Sequence, residues 1–213
     1  MLLVAGMNRY GGKFMMRFAA LLASVLLFTG CATSQYMTRS ASVEPAPAAG
    51  KALVVFMRPS TYGGAIESSL YDVSNGAQEF IGIASPRTKV AYQADPGIHL
   101  FMVVAENADF MNANLEAGKT YYVLVSPRMG VWKARFSLLP VHNDAAAKYS
   151  MKSEDFRHWQ AATHFVEKSP GAADWYRASQ SSITAKHISY MERWKQASPQ
   201  QQAELTLLAE DGT

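Results

Sequence analysis

Apolar residues fall along the chain in three regimes. Phe18 to Phe28 is a short apolar run with Ser24 inside it, preceded by Arg9, Lys13 and Arg17 and followed by Thr29-Gly30. Positive residues, an apolar stretch and small residues are the order of a secretory signal. The run falls short of the roughly 20 apolar residues that span a bilayer, so a cleaved signal is expected rather than a membrane helix. From Lys51 the pattern becomes that of short strands. Ala52–Met57 is apolar on both faces and closes at Arg58-Pro59. Strands are expected over Ile66–Val73, Glu79–Ile83, Thr88–Ala94, Ile98–Ala105, Phe110–Leu115, Thr120–Val125 and Val131–Leu139, with turns at Ser74-Asn75-Gly76, Asp95-Pro96-Gly97 and Glu116–Lys119. In the last of these strands Trp132 and Phe136 share a face. Tyr121 and Tyr122 point to opposite faces of theirs, one inward and one available outside.

After Pro140 the period becomes helical. Ser153 caps a helix carrying Phe156, Trp159, Thr163 and Val166 on one side. A longer helix carries Trp175, Ser179, Ile183, His187, Tyr190 and Trp194. Ser198, Pro199 and Gln201 open a last short helix through a capping box, with Leu205 and Leu208 on its apolar side. The expected fold is mainly β with an α-helical C-terminal tail: an antiparallel β-sandwich followed by two or three helices. The expected organisation is a signal over 1–30, a tether over 31–50, a β domain over 51–141 and a helical region over 142–213 packing on it. Between Ala32 and Gly50 large apolar residues are few and Pro45 and Pro47 favour extended backbone. Fully stretched, that tether reaches about 60 Å. A first strand within Gln35 to Ser42 is the alternative.

Two resemblances add to this reading. Leu27-Phe28-Thr29-Gly30-Cys31 resembles the lipobox of bacterial lipoproteins, with Phe28 where the usual pattern has Leu. The resemblance implies diacylglycerol on the Cys31 sulfur, cleavage after Gly30 and a further acyl chain on the new amino terminus. Two or more chains anchor stably where one does not. Ala32, where Asp would imply inner-membrane retention, implies an outer-membrane anchor facing the periplasm. The strand ending Phe56-Met-Arg58-Pro59, with Pro96-Gly97-Ile-His-Leu100 and Leu115-Glu-Ala-Gly118-Lys119-Thr-Tyr-Tyr122, looks like a family of bacterial lipoprotein domains of unknown function. That family is in turn similar to small Ig-like sandwiches of PEGA and carboxypeptidase-regulatory type. The resemblance covers Lys51 to Val141. It implies a fold and a location and no catalytic residue.

Charge changes on maturation. The whole chain has 20 Lys and Arg against 17 Asp and Glu. Removing Arg9, Lys13 and Arg17 with the signal leaves the two signs equal, so no nucleic-acid partner is expected. Cys31 is the single cysteine, so the exported fold rests on its core rather than on a disulfide.

Candidate chemistry is sparse. His99, His142, His158, His164 and His187 show no metal-ligand spacing, and no nucleophile elbow or phosphate loop is present. No catalytic residue, metal or cofactor is implied. Glu67, Asp72, Asp95 and Asp109 are acids that the fold has the freedom to bring together. Arg58 reads as a ligand-binding cation or as a structural ion pair or loop cap. The aromatic stripe of the long helix reads as packing or as an interaction surface. The expected function is non-enzymatic: a lipid-anchored protein binding another envelope component, protein or glycan. The alternatives are a hydrolase of cell-wall or polysaccharide material and a carrier of a small apolar ligand.

Overall fold

The computed structural model describes residues 34–42, 44–64, 66–128 and 135–213. The expected signal, Cys31 and Trp132 lie outside them. Among the described residues ten strands form in the order expected of a β-rich body with helices late in the chain, and an eleventh of two residues follows. They are β1 (Met37–Arg39), β2 (Ala52–Arg58), β3 (Ser68–Asp72), β4 (Glu79–Ala84), β5 (Thr88–Ala94), β6 (Gly97–Val104), β7 (Ala108–Leu115), β8 (Thr120–Arg128), β9 (Arg135–Val141), β10 (His164–Lys168) and β11 (Thr206–Leu207). The helices are α1 (Glu154–Ala162), α2 (Ala172–Lys195) and α3 (Pro199–Glu204).

The strands build two sheets, β1-β10-β5-β2-β8-β9 and β11-β7-β6-β3-β4. Both are mixed, which corrects the antiparallel expectation. β2 runs parallel to β8, β10 parallel to β5, and β11 parallel to β7. Alternation of apolar residues fixes which face a side chain takes but carries no strand direction. Consecutive strands pair as antiparallel hairpins between β3 and β4, between β8 and β9, and between β6 and β7, which pair from Gly97↔Leu115 to Val104↔Ala108. Gly97 at φ 128 and Gly118 at φ 80 supply the backbone that the flanking turns require.

Apolar residues of the two sheets meet face to face. Phe56 of β2 stands edge-on to Phe101 of β6 at 5.3 Å, and Val54, Leu70, Val103 and Val123 fill the space around them. The outer faces are covered by helices. α1 lays Phe156 and Trp159 over Leu53, Val55 and Met57 of the first sheet. Of the two tyrosines expected on opposite faces, Tyr121 is buried inside, and Tyr122, on the other face, lies under Phe156 at 4.9 Å rather than being available outside. α2 covers the second sheet: Tyr176 stacks on Phe80 at 5.2 Å, Trp175 meets Phe80 at 5.4 Å, and Trp194 meets Phe110 at 6.0 Å. Much of the aromatic stripe is therefore packing. No helix among the described residues is long and apolar enough to cross a membrane.

Two expectations fail locally. The helix opened by Ser153 stops at Ala162, and Thr163 turns extended with its hydroxyl donating to the Trp159 carbonyl at 2.7 Å. Phe165 and Val166 continue as β10, because the exposed side of β5 has a free ladder to satisfy. Leu207, rather than Leu205 or Leu208, is the apolar residue buried beyond α3, and it sits in β11. Within the expected tether, Met37–Arg39 forms β1 against β10.

The last residues are fastened to the body. Thr213 and Thr120 exchange both backbone bonds, at 2.7 and 3.1 Å, and Tyr121 donates to the Ala209 carbonyl. A Cβ on Gly212 would stand 2.6 Å from the Tyr121 ring and 2.7 Å from Lys119. The Tyr121 ring does not yield freely, since it is buried. Gly212→Ala is expected to cost about 1–3 kcal/mol as an overpacked contact, read from urea unfolding midpoints.

Candidate functional site

Arg58 ends β2 with its side chain fully buried. Its guanidinium donates to the carbonyls of Ile66 and Ala84 at 2.9 Å each and of Gly63 at 2.8 Å, and lies 4.4 Å above the Phe136 ring. No carboxylate of the described residues forms an ion pair with it. Burial pushes its pKa down to about 10. Arg58 is a loop cap that organises the β2–β3 connection, not a cation held out for a ligand.

Each acid singled out in the sequence finds a donor. Glu67 accepts from Ser34, Asp95 pairs with Lys51 at 2.7 Å, Asp109 with Arg128, and Asp72 with His99 at 2.6 Å. The Asp72 cluster joins the two sheets. Asp72 of β3 and His99 of β6 belong to one sheet, and Tyr92 of β5, in the other, donates to Asp72 Oδ2 at 3.3 Å. Ser74 donates to Asp72 Oδ1 through its backbone N–H at 3.0 Å and also through its hydroxyl. Both ring nitrogens of His99 face oxygen acceptors, Asp72 Oδ2 and the Asp95 carbonyl at 2.8 Å, which favours the doubly protonated ring. The Asp72 hydrogen bond raises the His99 pKa against the opposing effect of burial. Burial pushes the Asp72 carboxyl up, and the bonds from His99 and Ser74 overcome it, leaving it below its ordinary value.

A Ser, a His and an Asp thus meet, but in the wrong order for nucleophilic catalysis. There a neutral imidazole takes the hydroxyl proton and the carboxylate holds the other nitrogen. Here the Ser74 hydroxyl gives its proton to Asp72 and accepts from the Leu100 N–H at 3.0 Å. The cluster is a clasp between sheets.

Its pH dependence has a definite sign. The His99 contribution is complete below the unfolded histidine value and is lost as pH rises through the raised folded value. The Asp72 contribution is complete above the unfolded carboxylate value and is lost as pH falls through the lowered folded value. The pair is therefore at full strength between about pH 4 and 6.5. His99→Gln is expected to cost about 2 kcal/mol within that window and less at alkaline pH. Urea unfolding of both proteins across pH measures the difference, and a cost independent of pH would contradict the charged pair.

A second His–Asp pair lies at the opposite corner of the sequence. His142 follows β9, and its Nδ1 donates to Asp211 Oδ2 at 2.8 Å. Asp211 is only 3% exposed and also accepts from the Asn143 N–H at 3.0 Å and the Leu208 N–H at 2.8 Å. The hydrogen bond to Asp211 raises the His142 pKa. Burial pushes the Asp211 carboxyl up, and its donors bring it below the ordinary value. The pair lines an open cleft of about 460 Å³ with Asp144, Glu210 and Leu208. An Asp-oriented histidine at the wall of a cleft is an arrangement that can hold and transfer a proton.

The remaining histidines have ordinary places. His187 bonds Gln78 at 3.0 Å where α2 crosses the β3–β4 turn, and burial lowers its pKa. His164 opens β10, its pKa lowered by burial and by Arg39 and Lys89. His158 lies on α1. Among the described residues no group of three or more His, Cys, Asp or Glu is arranged to hold a metal ion. Compared with the known protein families and with curated proteins, the chain matches none.

Proposed function

We propose that the protein is a lipid-anchored envelope protein of binding or scaffold type. It is held by acyl chains on Cys31 at the periplasmic face of the outer membrane and carries a PEGA-like sandwich with mixed sheets. The lipobox-like stretch Leu27–Cys31 supports the anchor. The observation that carries the non-catalytic part is that the side chains of the Asp72 cluster and of Arg58 bond internal partners, although Arg58 Nε and the Tyr71 hydroxyl are buried without one. Arg58, Asp72, His99 and Ser74 are each spent on internal partners, so they serve the fold rather than a substrate. The partner is another envelope component, protein or glycan. In-cell crosslinking of the wild type beside Cys31→Ala tests this. A specific adduct that vanishes with the anchor is expected. Abundant, lipidated protein without any adduct would contradict it.

One observation favours a second reading, hydrolysis of wall or polysaccharide material: the His142–Asp211 pair at the wall of the acidic cleft. Release of soluble fragments from purified wall material, lost in His142→Ala, would support it. A carrier of an apolar ligand finds no comparable support, because Phe56, Leu70, Phe101 and Val123 occupy the space between the sheets.

A further inference from the structure

Ser34 is the first described residue, and it is fixed. It is 7% exposed, its N–H donates to Ser85 Oγ at 3.1 Å, and its hydroxyl donates to Glu67 at 2.5 Å. The segment that follows is folded onto the body. Met37 is buried, Tyr36 lies 5.6 Å from Trp175, and Gln93 holds the backbone of Ala46 and Ala48 at 2.9 Å each. The proline-containing stretch that the sequence offers as a long tether is therefore not free to extend. Only the chain from Cys31 to Ser34 separates the anchor from a fixed point, a reach of about 10 Å.

That fixed point lies at one end of the body. Ser85 and Glu67 flank the paired ends of β4 and β3, Ala84↔Ser68, beside Arg58↔Thr88 of the other sheet. Two connections emerge there side by side and are tied together by the Arg87 N–H donating to the Arg58 carbonyl at 2.7 Å. The first exposes Thr61, Gly64 and Tyr62, the last at 52%. The second presents Pro86 and an exposed Arg87 held at φ 60. The β6–β7 turn adds Glu106. An exposed tyrosine beside an arginine suits a bilayer interface, where aromatic rings sit at headgroup depth and guanidinium groups meet phosphates.

We propose that this end, which includes Tyr62, Arg87 and the exposed Arg128 and Arg135 where β8 and β9 run on past Arg58, rests on the phospholipid surface, and that the short link to Cys31 sets the orientation. The proposal rests on the lipid-anchor reading. The opposite end, with the β5–β6 turn and Ile98 exposed at 74%, then stands about 25 Å further out, the length of the eight-residue β6. That end is the one offered to soluble partners.

The test uses the full-length lipidated protein, in which acylation leaves an introduced cysteine as the free thiol. Thr61→Cys and Ile98→Cys, each carrying a polarity-sensitive fluorophore, are reconstituted in vesicles of phosphatidylethanolamine and phosphatidylglycerol with a headgroup-depth nitroxide quencher. Emission from position 61 is expected to be lost and emission from position 98 to persist. Equal quenching at both positions, or none at either, in protein that floats with the vesicles would overturn the orientation while leaving the anchor intact. Failure to float would overturn the anchor and the orientation together. A flexible insert of about 20 residues between Thr33 and Ser34 is expected to abolish quenching at 61 while flotation is kept. Persistent quenching there would overturn the role given to the short link.

Discussion

Replacing Arg58 by alanine is expected to cost about 4 kcal/mol, a large part of the stability of an ordinary domain. The loss has three sources. The buried carbonyl of Ala84 and the half-buried carbonyls of Ile66 and Gly63 lose their donor. The Phe136 ring loses the guanidinium packed on it. A cavity is left where the largest fully buried side chain stood. Arg58→Lys separates these effects. An ammonium keeps the charge and much of the volume, but three donors at one point cannot reproduce the fork that reaches both β3 and β4, so about half of the loss should remain. Urea unfolding midpoints measure both variants. A loss under about 1 kcal/mol for Arg58→Ala would show that water satisfies the carbonyls and that the loop does not depend on the guanidinium.

The second large effect is expected at Asp211. Its carboxylate accepts from His142, Asn143 and Leu208 while almost fully buried. Asp211→Ala should cost about 3 kcal/mol, because it strands three donors and leaves the His142 charge without its counter-ion. Asp211→Asn keeps the shape, and its cost should fall as pH rises through the raised His142 value and the imidazole becomes neutral. Hydrogen exchange locates the effect. Protection at Thr120 and Thr213, which pair by both backbone groups, should fall together with the unfolding midpoint. Unchanged protection there would mean that the last residues are held without the His142–Asp211 bond.

Local features were legible because local chemistry makes them. Thr88–Ala94 is a strand within the residues its alternation predicts, and Ser153 and Ser198 cap their helices as their neighbours require. β10 was hidden because Phe156, Trp159, Thr163 and Val166 satisfy helical spacing, while the open side of β5 that recruits the last of them is a property of the assembled sheet. β1 falls inside Gln35–Ser42, the stretch the sequence offers as a strand in place of a tether; its own pattern is weak because three residues form a strand there only with β10 beside them. The polar clusters were out of reach of any spacing rule. Asp72 and His99 are separated by 27 positions, and His142 and Asp211 by 69. Strand direction, which makes both sheets mixed, leaves no mark on apolar alternation.

The structural and functional readings meet at Cys31. If the sulfur carries lipid, the fixed position of Ser34 turns a sequence signal into an orientation on the membrane. The most direct measurement is the intact mass of the protein extracted from the envelope fraction of a bacterium expressing the whole chain, with sequencing of its first peptide. A chain beginning at Cys31 is expected, heavier than residues 31–213 by a diacylglyceryl group and an amide-linked acyl chain. A chain that begins upstream of Cys31, or one that carries a free Cys31 thiol, would contradict the lipid anchor.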